Sequence, residues 1–212
     1  MADSLTFLVS FLNYPDSSNS YLSDPDVVLM LEFQRGDKAA FEKLMIKFYP
    51  RVLNFNYRFV GSKEIAEDLT QEVFVKIFNH PQQYQPQAKF QTWLFTIARN
   101  VSLNELRKHK HFGFSLNQTT ATEEDEVPVQ IQDPHAVNPS DEILQQEKVL
   151  CIKKAIEGLP ENQRLAVILR RYEDFSYEEI AKTLSVSVKA VKSLLSRAKE
   201  NLKEQLKDLM KN

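Results

Sequence analysis

FSYEEIAKTLSVSVKAVKSLLSRAK, residues 175–199, decides how the rest of the chain is read. Ser176 stands three residues before Glu179, the spacing at which a hydroxyl accepts from the Glu179 amide and the carboxylate reaches back to the cap. Phe175 and Ile180 occupy the staple positions around that cap. Ile180, Ala181 and Leu184 form a short apolar face, which Ser185-Val186-Ser187 interrupts. Ser187 can cap a second helix, with Val186 and Val191 repeating the staple. Two short capped helices across a tight turn predict a helix-turn-helix. Turns of this kind often carry Gly, and Ser185 stands there instead; a left-handed backbone at Ser costs about 1 kcal/mol.

The second helix of the pair has two distinct sides. At about 100° per residue, Val188, Val191, Leu195, Ala198, Leu202, Leu206 and Leu209 fall on one stripe. Lys189, Ser193 and Ser196 lie opposite, flanked by Lys192 and Arg197. An apolar floor under a short-polar, cationic face suits a helix that enters the major groove of duplex DNA. Ala181 is small where the two helices must cross.

Composition bounds the remaining possibilities. The net charge of −2 across 212 residues is unusual for a protein that only binds DNA, and it predicts segregated charge or partner-dependent binding. The single cysteine, Cys151, excludes an internal disulfide and fits a reducing cytoplasm. Its apolar neighbours Val149, Ile152, Ala155 and Ile156 predict a buried structural thiol. With four glycines and no convincing period-two stretch, the chain reads as all-α. The apolar run Leu5–Leu12 lacks a basic flank and is far shorter than the roughly 18 apolar residues of a membrane span. No signal peptide or membrane insertion is expected. An N-terminal extension, residues 1–25, precedes the first folded unit.

That unit spans 26–112. Val27, Leu31 and Phe33, then Ala40, Phe41, Leu44, Met45, Phe48 and Tyr49, repeat at helical spacing, punctuated by Gly36-Asp37. A helix from about Ser62 to Phe78 turns Ile65, Leu69, Val73, Phe74, Ile77 and Phe78 inward. Its Glu64, Asp68 and Glu72 form an acidic stripe that suits either a solvated face or docking on a basic partner. No His, Cys or nucleophile lies at ligand spacing, so neither a catalytic site nor a metal or cofactor site is expected. Residues 79–91 form a polar loop with an exposed Tyr84 and with Lys89. The helix that follows, to about Lys108, buries Leu94, Ile97, Ala98 and Val101 and turns Thr92, Thr96, Arg99, Asn100, Leu103 and Arg107 outward. Aromatics beside cations provide what unpaired nucleic acid requires: rings for stacking and charges for phosphate. Tyr84 and Lys89 are the strongest contact candidates, whereas Trp93 and Phe95 read primarily as core.

EIAEDLTQEVFVKIF, FQTWLFTIARNVSLNELRK and LPENQRLAVILRRYEDFSYEEIAKTLSVSVKAVKSLLSRAKENL, in this order, closely resemble the extracytoplasmic-function (ECF) sigma factors of bacterial RNA polymerase. The resemblance implies that the first block docks on core RNA polymerase through Asp68, Gln71 and Glu72. It implies that the second block and its loop melt the promoter and read the −10 element as a single strand through Tyr84, Lys89, Phe90, Trp93, Arg99, Asn100, Asn104 and Arg107. The third block would read the −35 element as duplex through Lys189, Lys192, Ser193, Ser196 and Arg197. Lys189-Ala190 stands where the family often has Gly-Thr, and Leu194 where it often has Arg, so base preference does not transfer.

Between these blocks, 113–145 holds Glu123, Glu124, Asp125, Glu126 and Asp133 with several prolines, and reads as a flexible acidic linker. Lys108-His109-Lys110-His111 before it reads as solvated charge rather than a metal site. The C-terminal unit, 146–212, adds a helix up to Glu157 and another begun at Pro160, whose Leu165, Ile168, Leu169 and Tyr172 should pack on the helix-turn-helix. Arg164, Arg170 and Arg171 are candidate phosphate contacts. The expected protein is a non-enzymatic, cytoplasmic promoter-specificity subunit. Its partners are core RNA polymerase and promoter DNA, duplex and melted, with an anti-sigma factor as a further candidate. A helix-turn-helix regulator with a helical effector or dimerisation domain, or a helical adaptor that binds no DNA, are the alternatives.

Overall fold

The computed structural model describes the backbone of residues 21–111 and 139–207 and the side chains of 21–108 and 148–207. The Leu5–Leu12 run, the acidic tract 113–138, the side chains of His109, His111, Ile143 and Leu144, and Leu209 lie outside the described residues. Every regular element within them is helical, and the fold is all-α.

The first unit contains α1 (Pro25–Gln34), α2 (Lys38–Val60), α3 (Lys63–Asn79), a 3₁₀ turn (Pro81–Gln83) and α4 (Phe90–His111). Local chemistry sets their limits. The Asp24 carboxylate accepts from the Asp26 amide ahead of α1, and Asp37 accepts from Ala39 and Ala40 ahead of α2. Gly36 and Gly61 turn the chain at φ +105° and +83°, which a side chain would strain. Ser62 caps α3 through the Ile65 amide.

The core of this unit is aromatic. Phe48, Phe55, Phe59, Phe90 and Phe95 are almost wholly enclosed, each contributing on the order of 2–3 kcal/mol by burial. Phe55 meets Phe95 edge-to-face at 5.2 Å, and Phe48 meets Phe90 at 5.3 Å. One polar chain crosses this core. Ser102 Oγ donates to Asn56 Oδ1 at 3.0 Å, Asn56 Nδ2 donates to Thr70 Oγ1 at 2.9 Å, and Thr70 Oγ1 donates to the Ala66 carbonyl at 2.6 Å. All three side chains are fully buried, and they tie α4, α2 and α3 together.

The second unit contains α5 (Pro139–Glu157), α6 (Glu161–Arg171), α7 (Tyr177–Leu184) and α8 (Val188–Gln205). Helix α5 already starts inside the 113–145 stretch expected as linker. Leu165, Ile168 and Leu169 of α6 pack with Ile180, Leu184 and Val191 of the helix pair, as the periodicity predicts. Tyr172 does not join them: it is partly exposed and lies under the Arg58 guanidinium at 4.1 Å. Cys151 is exposed, with Val149, Leu150 and Ile152 beside it also open to solvent, so the expected buried thiol is corrected. Val149, Leu150 and Ile152 form an outer face of α5, whereas Ala155 and Ile156, a turn further on, are buried.

The two units pack directly on each other, α4 against α7 and α2 against α6 and α5. Phe95 meets Phe175 edge-to-face at 5.4 Å, so one apolar core runs through both.

Candidate nucleic-acid interface

The helix-turn-helix forms as its caps dictate. Ser176 Oγ accepts from the Glu179 amide at 3.1 Å, and Glu179 Oε2 accepts from the Ser176 amide at 2.8 Å, closing both halves of the capping box. Phe175 and Ile180 are buried as a staple. Ser185 ends α7 at φ 56°, ψ 45°, the left-handed conformation that the missing glycine would have served. Ser187 Oγ then accepts from Ala190 and starts α8. Ala181 is buried at the crossing.

On α8, Lys189, Lys192, Ser193, Ser196 and Arg197 are all exposed. They cover an arc of about 140°, opposite the fully buried Val191 and Ala198. Lys189, Lys192 and Arg197 form no ion pair among the described residues. The helix presents three cations and two hydroxyls to solvent on a rigid apolar base.

The α4 surface is built differently. Trp93, Asn100, Asn104 and Arg107 lie within about 60° of one another along roughly 20 Å of helix. Trp93 is partly buried, while the other three are exposed. Arg107 donates to Asn104 Oδ1 and Arg99 to Asn100 Oδ1, so each cation is steadied by an amide. Arg99 is half-buried, and burial followed by the neighbouring Arg107 charge lowers its pKa. Its Nε has no partner and no solvent.

Tyr84 is not the exposed loop residue that was expected. It is 2% exposed, packs edge-to-face on Phe90 at 5.8 Å and Trp93 at 5.1 Å, and donates its hydroxyl to the Ala88 carbonyl. Burial, then Asp24 and Asp26, pushes the phenol further above its usual range. Phe90 lies beneath it, 1% exposed, and Thr92 and Leu103, expected outside, are buried as well. Lys89 remains on the surface but pairs with Glu179 Oε1 at 3.0 Å. Arg164 is likewise engaged, donating to the carbonyls of Phe59, Glu157 and Leu159, and Arg170 donates to Phe175 O. These two reach backbone rather than awaiting phosphate.

On α3, Asp68, Gln71 and Glu72 are exposed on one face, and Val75 and Phe78 continue it with 56% and 46% exposure. Phe78 was expected inward; it touches Phe33 and Phe41 with one edge and leaves the rest uncovered. The acidic stripe is therefore bordered by uncovered apolar groups, and Glu72 within it pairs with Lys76 at 3.1 Å.

Sequence reasoning missed Arg51 and Glu173. Arg51 stacks against Phe48 and Phe95 and pairs with Glu173 Oε2 at 2.9 Å, across the boundary between the units. The Glu173 side chain is 3% exposed. Burial raises its pKa, and the nearby Arg51 charge only partly offsets that. No local period marks such a pair, because its members are far apart in the chain. The described residues contain no group of side chains suited to a metal ion, and no helix long and apolar enough to cross a membrane.

Family profiles match both units: sigma-70 region 2 over residues 44–112, and sigma-70 region 4 over residues 150–202. The RNA polymerase sigma-H factor of Pseudomonas aeruginosa is 31% identical over 192 residues, covering 89% of this chain and 97% of the relative. The ECF RNA polymerase sigma-E factor of Escherichia coli is 30% identical, covering 88% and 96%. Among solved structures, the sigma factor RpoE of Bartonella quintana, in complex with the anti-sigma factor NepR, aligns with a TM-score of 0.59 at 26% identity over 79% of this chain and 96% of that one.

Proposed function

This chain belongs to the ECF sigma factors of bacterial RNA polymerase, and from that premise we propose how its surfaces divide the work. The protein is an alternative sigma factor that directs promoter-specific transcription initiation. Residues 26–112 act as region 2, 146–212 as region 4, and 113–145 as the connection between them, after an N-terminal extension of 1–25. Region 4 reads the −35 element as duplex through Lys189, Lys192, Ser193, Ser196 and Arg197. Region 2 docks on core polymerase through Asp68, Gln71 and Glu72, with Val75 and Phe78 adding apolar area. It reads and helps to open the −10 element through Lys89, Trp93, Arg99, Asn100, Asn104 and Arg107. Tyr84 and Phe90 form the floor under that surface and reach bases only after local rearrangement. RNA synthesis itself stays with the polymerase, in the cytoplasm. An anti-sigma factor is a candidate regulator, since the Bartonella relative binds one.

The observation that carries the reading is the exposed cationic face of α8, complete and unpaired, opposite a buried base. Its test is reconstitution with sigma-free core polymerase on a genomic DNA library. Discrete start sites preceded by a shared pair of upstream motifs are expected. Absence of initiation, with salt-sensitive duplex binding by the protein alone, would instead indicate a regulator that works without core polymerase.

A further inference from the structure

Val186 stands between the two helices of the helix-turn-helix and belongs to none of the surfaces assigned above. The turn holds its backbone firmly: the Ser185 amide donates to the Lys182 carbonyl at 3.2 Å, and the Val186 amide to the Ala181 carbonyl at 3.0 Å. Val191, its expected staple partner, is fully buried, yet Val186 keeps 36% of its surface open. Ala190 and Leu194 follow it at four-residue intervals, and both are partly exposed. Around the α8 axis they lie about 20° and 60° from Arg197. Val186, Ala190 and Leu194 therefore edge the cationic face with an apolar strip. Ala190 and Leu194 are also positions at which this chain departs from its family's pattern.

The chemistry of the base edges decides what such a face can read. In the major groove, Lys and Arg meet guanine O6 and N7, and an amide side chain pairs with adenine. A carboxylate accepts from cytosine N4, and an apolar side chain covers the C5 methyl group of thymine. Residues 188–199 of α8 hold no Asn, Gln, Asp or Glu. The face thus lacks the groups that would single out adenine or cytosine, while its cations suit guanine. Thymine is the remaining base, its distinguishing group is apolar, and the strip is the apolar part of the face. Placement agrees: the N-terminal residues of a recognition helix are the ones that reach base edges, and Val186 and Ala190 stand on either side of the Ser187 cap.

Resting on the sigma reading above, we propose that Val186 and Ala190 are specificity-determining residues that read thymine methyl groups in the −35 element, with Leu194 extending the strip. Lys189, Lys192 and Arg197 select guanine, so base choice across α8 passes from charge to methyl contact at the Arg197 edge. Ala190 leaves room for a methyl group beside the helix backbone, and burying that methyl against Val186 removes two apolar surfaces from water at once.

The test uses the full chain with sigma-free core polymerase on promoters taken from the reconstitution library. Each thymine of the −35 element, on either strand, is exchanged in turn for deoxyuridine, which removes the C5 methyl and keeps every hydrogen-bonding group. Promoter affinity is expected to fall about four-fold at one or more positions, the worth of one buried methyl group. In Val186→Ser and Ala190→Ser, affinity for the thymine promoter should be lower, and the exchange at those positions should cost nothing further. Ala190→Asn is expected to turn the preference at its position from thymine to adenine by at least about five-fold. Circular dichroism checks that each variant is folded, and either serine variant decides the matter if the other does not fold. Indifference of the unaltered chain to uracil at every −35 position overturns the strip. So does a loss of undiminished size in both serine variants, since the methyl would then act through the shape of the duplex. Initiation by the unaltered chain is scored first. Its absence from every template rejects the sigma reading, and the uracil series is then read on duplexes that the chain selects alone at low salt, so the two failures are distinguishable.

Discussion

The two surfaces assigned to DNA differ in how they are made. On α8 the reading residues stand outside the packing: all five are exposed, and the buried side of the helix carries other residues. On α4 and its loop the reading set overlaps the packing, since Tyr84 and Phe90 are buried, Trp93 is partly so, and Lys89 is paired. A helix that reads duplex DNA meets an object already shaped to receive it, so its contacts can be displayed in advance. A surface that receives unstacked bases needs rings, and exposed rings are costly to keep in water. On the function proposed for it, the second surface meets that cost by keeping Tyr84 and Phe90 in the core.

The comparison can be broken most forcefully at Phe90. Phe90→Ala removes a wholly enclosed ring and should destabilise the first unit by about 3–5 kcal/mol, read as a lowered denaturation midpoint. Near-wild-type stability would mean that Phe90 is not part of the floor. The matched change on the other surface, Arg197→Ala, should leave stability within about 0.5 kcal/mol and weaken promoter recognition by about 1–3 kcal/mol if it meets a base edge. Unchanged promoter selection there and in Lys192→Ala would reject the α8 face. Asp68→Arg probes a third surface. It should lower affinity for core polymerase by at least about five-fold through charge reversal, with the circular dichroism spectrum unchanged, and undiminished assembly would remove the docking role of α3. The smallest effect is expected at Ser185→Gly. Relief of the left-handed serine should stabilise the second unit by up to about 1 kcal/mol without altering the bases preferred.

The helix-turn-helix was legible in the sequence almost to the residue because its determinants are local. Ser176, Glu179, Ser185 and Ser187 act within four positions of their partners. The acidic face of α3 was legible for the same reason. Tyr84 was misread because what folds its loop comes from afar: Gln34, on α1, donates to the carbonyls of Pro81 and Tyr84, and the ring turns in against Phe90 and Trp93. Cys151 was misread in the opposite direction. Of its apolar neighbours Ala155 and Ile156 are covered but Val149 and Ile152 are not, because periodicity shows which side of a helix is apolar, not how far along it the cover extends. The packing of the two units was invisible on both counts, since Arg51 and Glu173 belong to different units and follow no shared period.

The polar chain through the first unit has a mechanical consequence. Ser102, Asn56 and Thr70 satisfy one another only when α4, α2 and α3 are in a single register. A slip of one residue between them would strand buried groups at about 1–3 kcal/mol each, so the three helices move as one plate. A load on the outer side of α4, where the −10 contacts are proposed, would then reach the proposed docking side of α3 without loss to sliding.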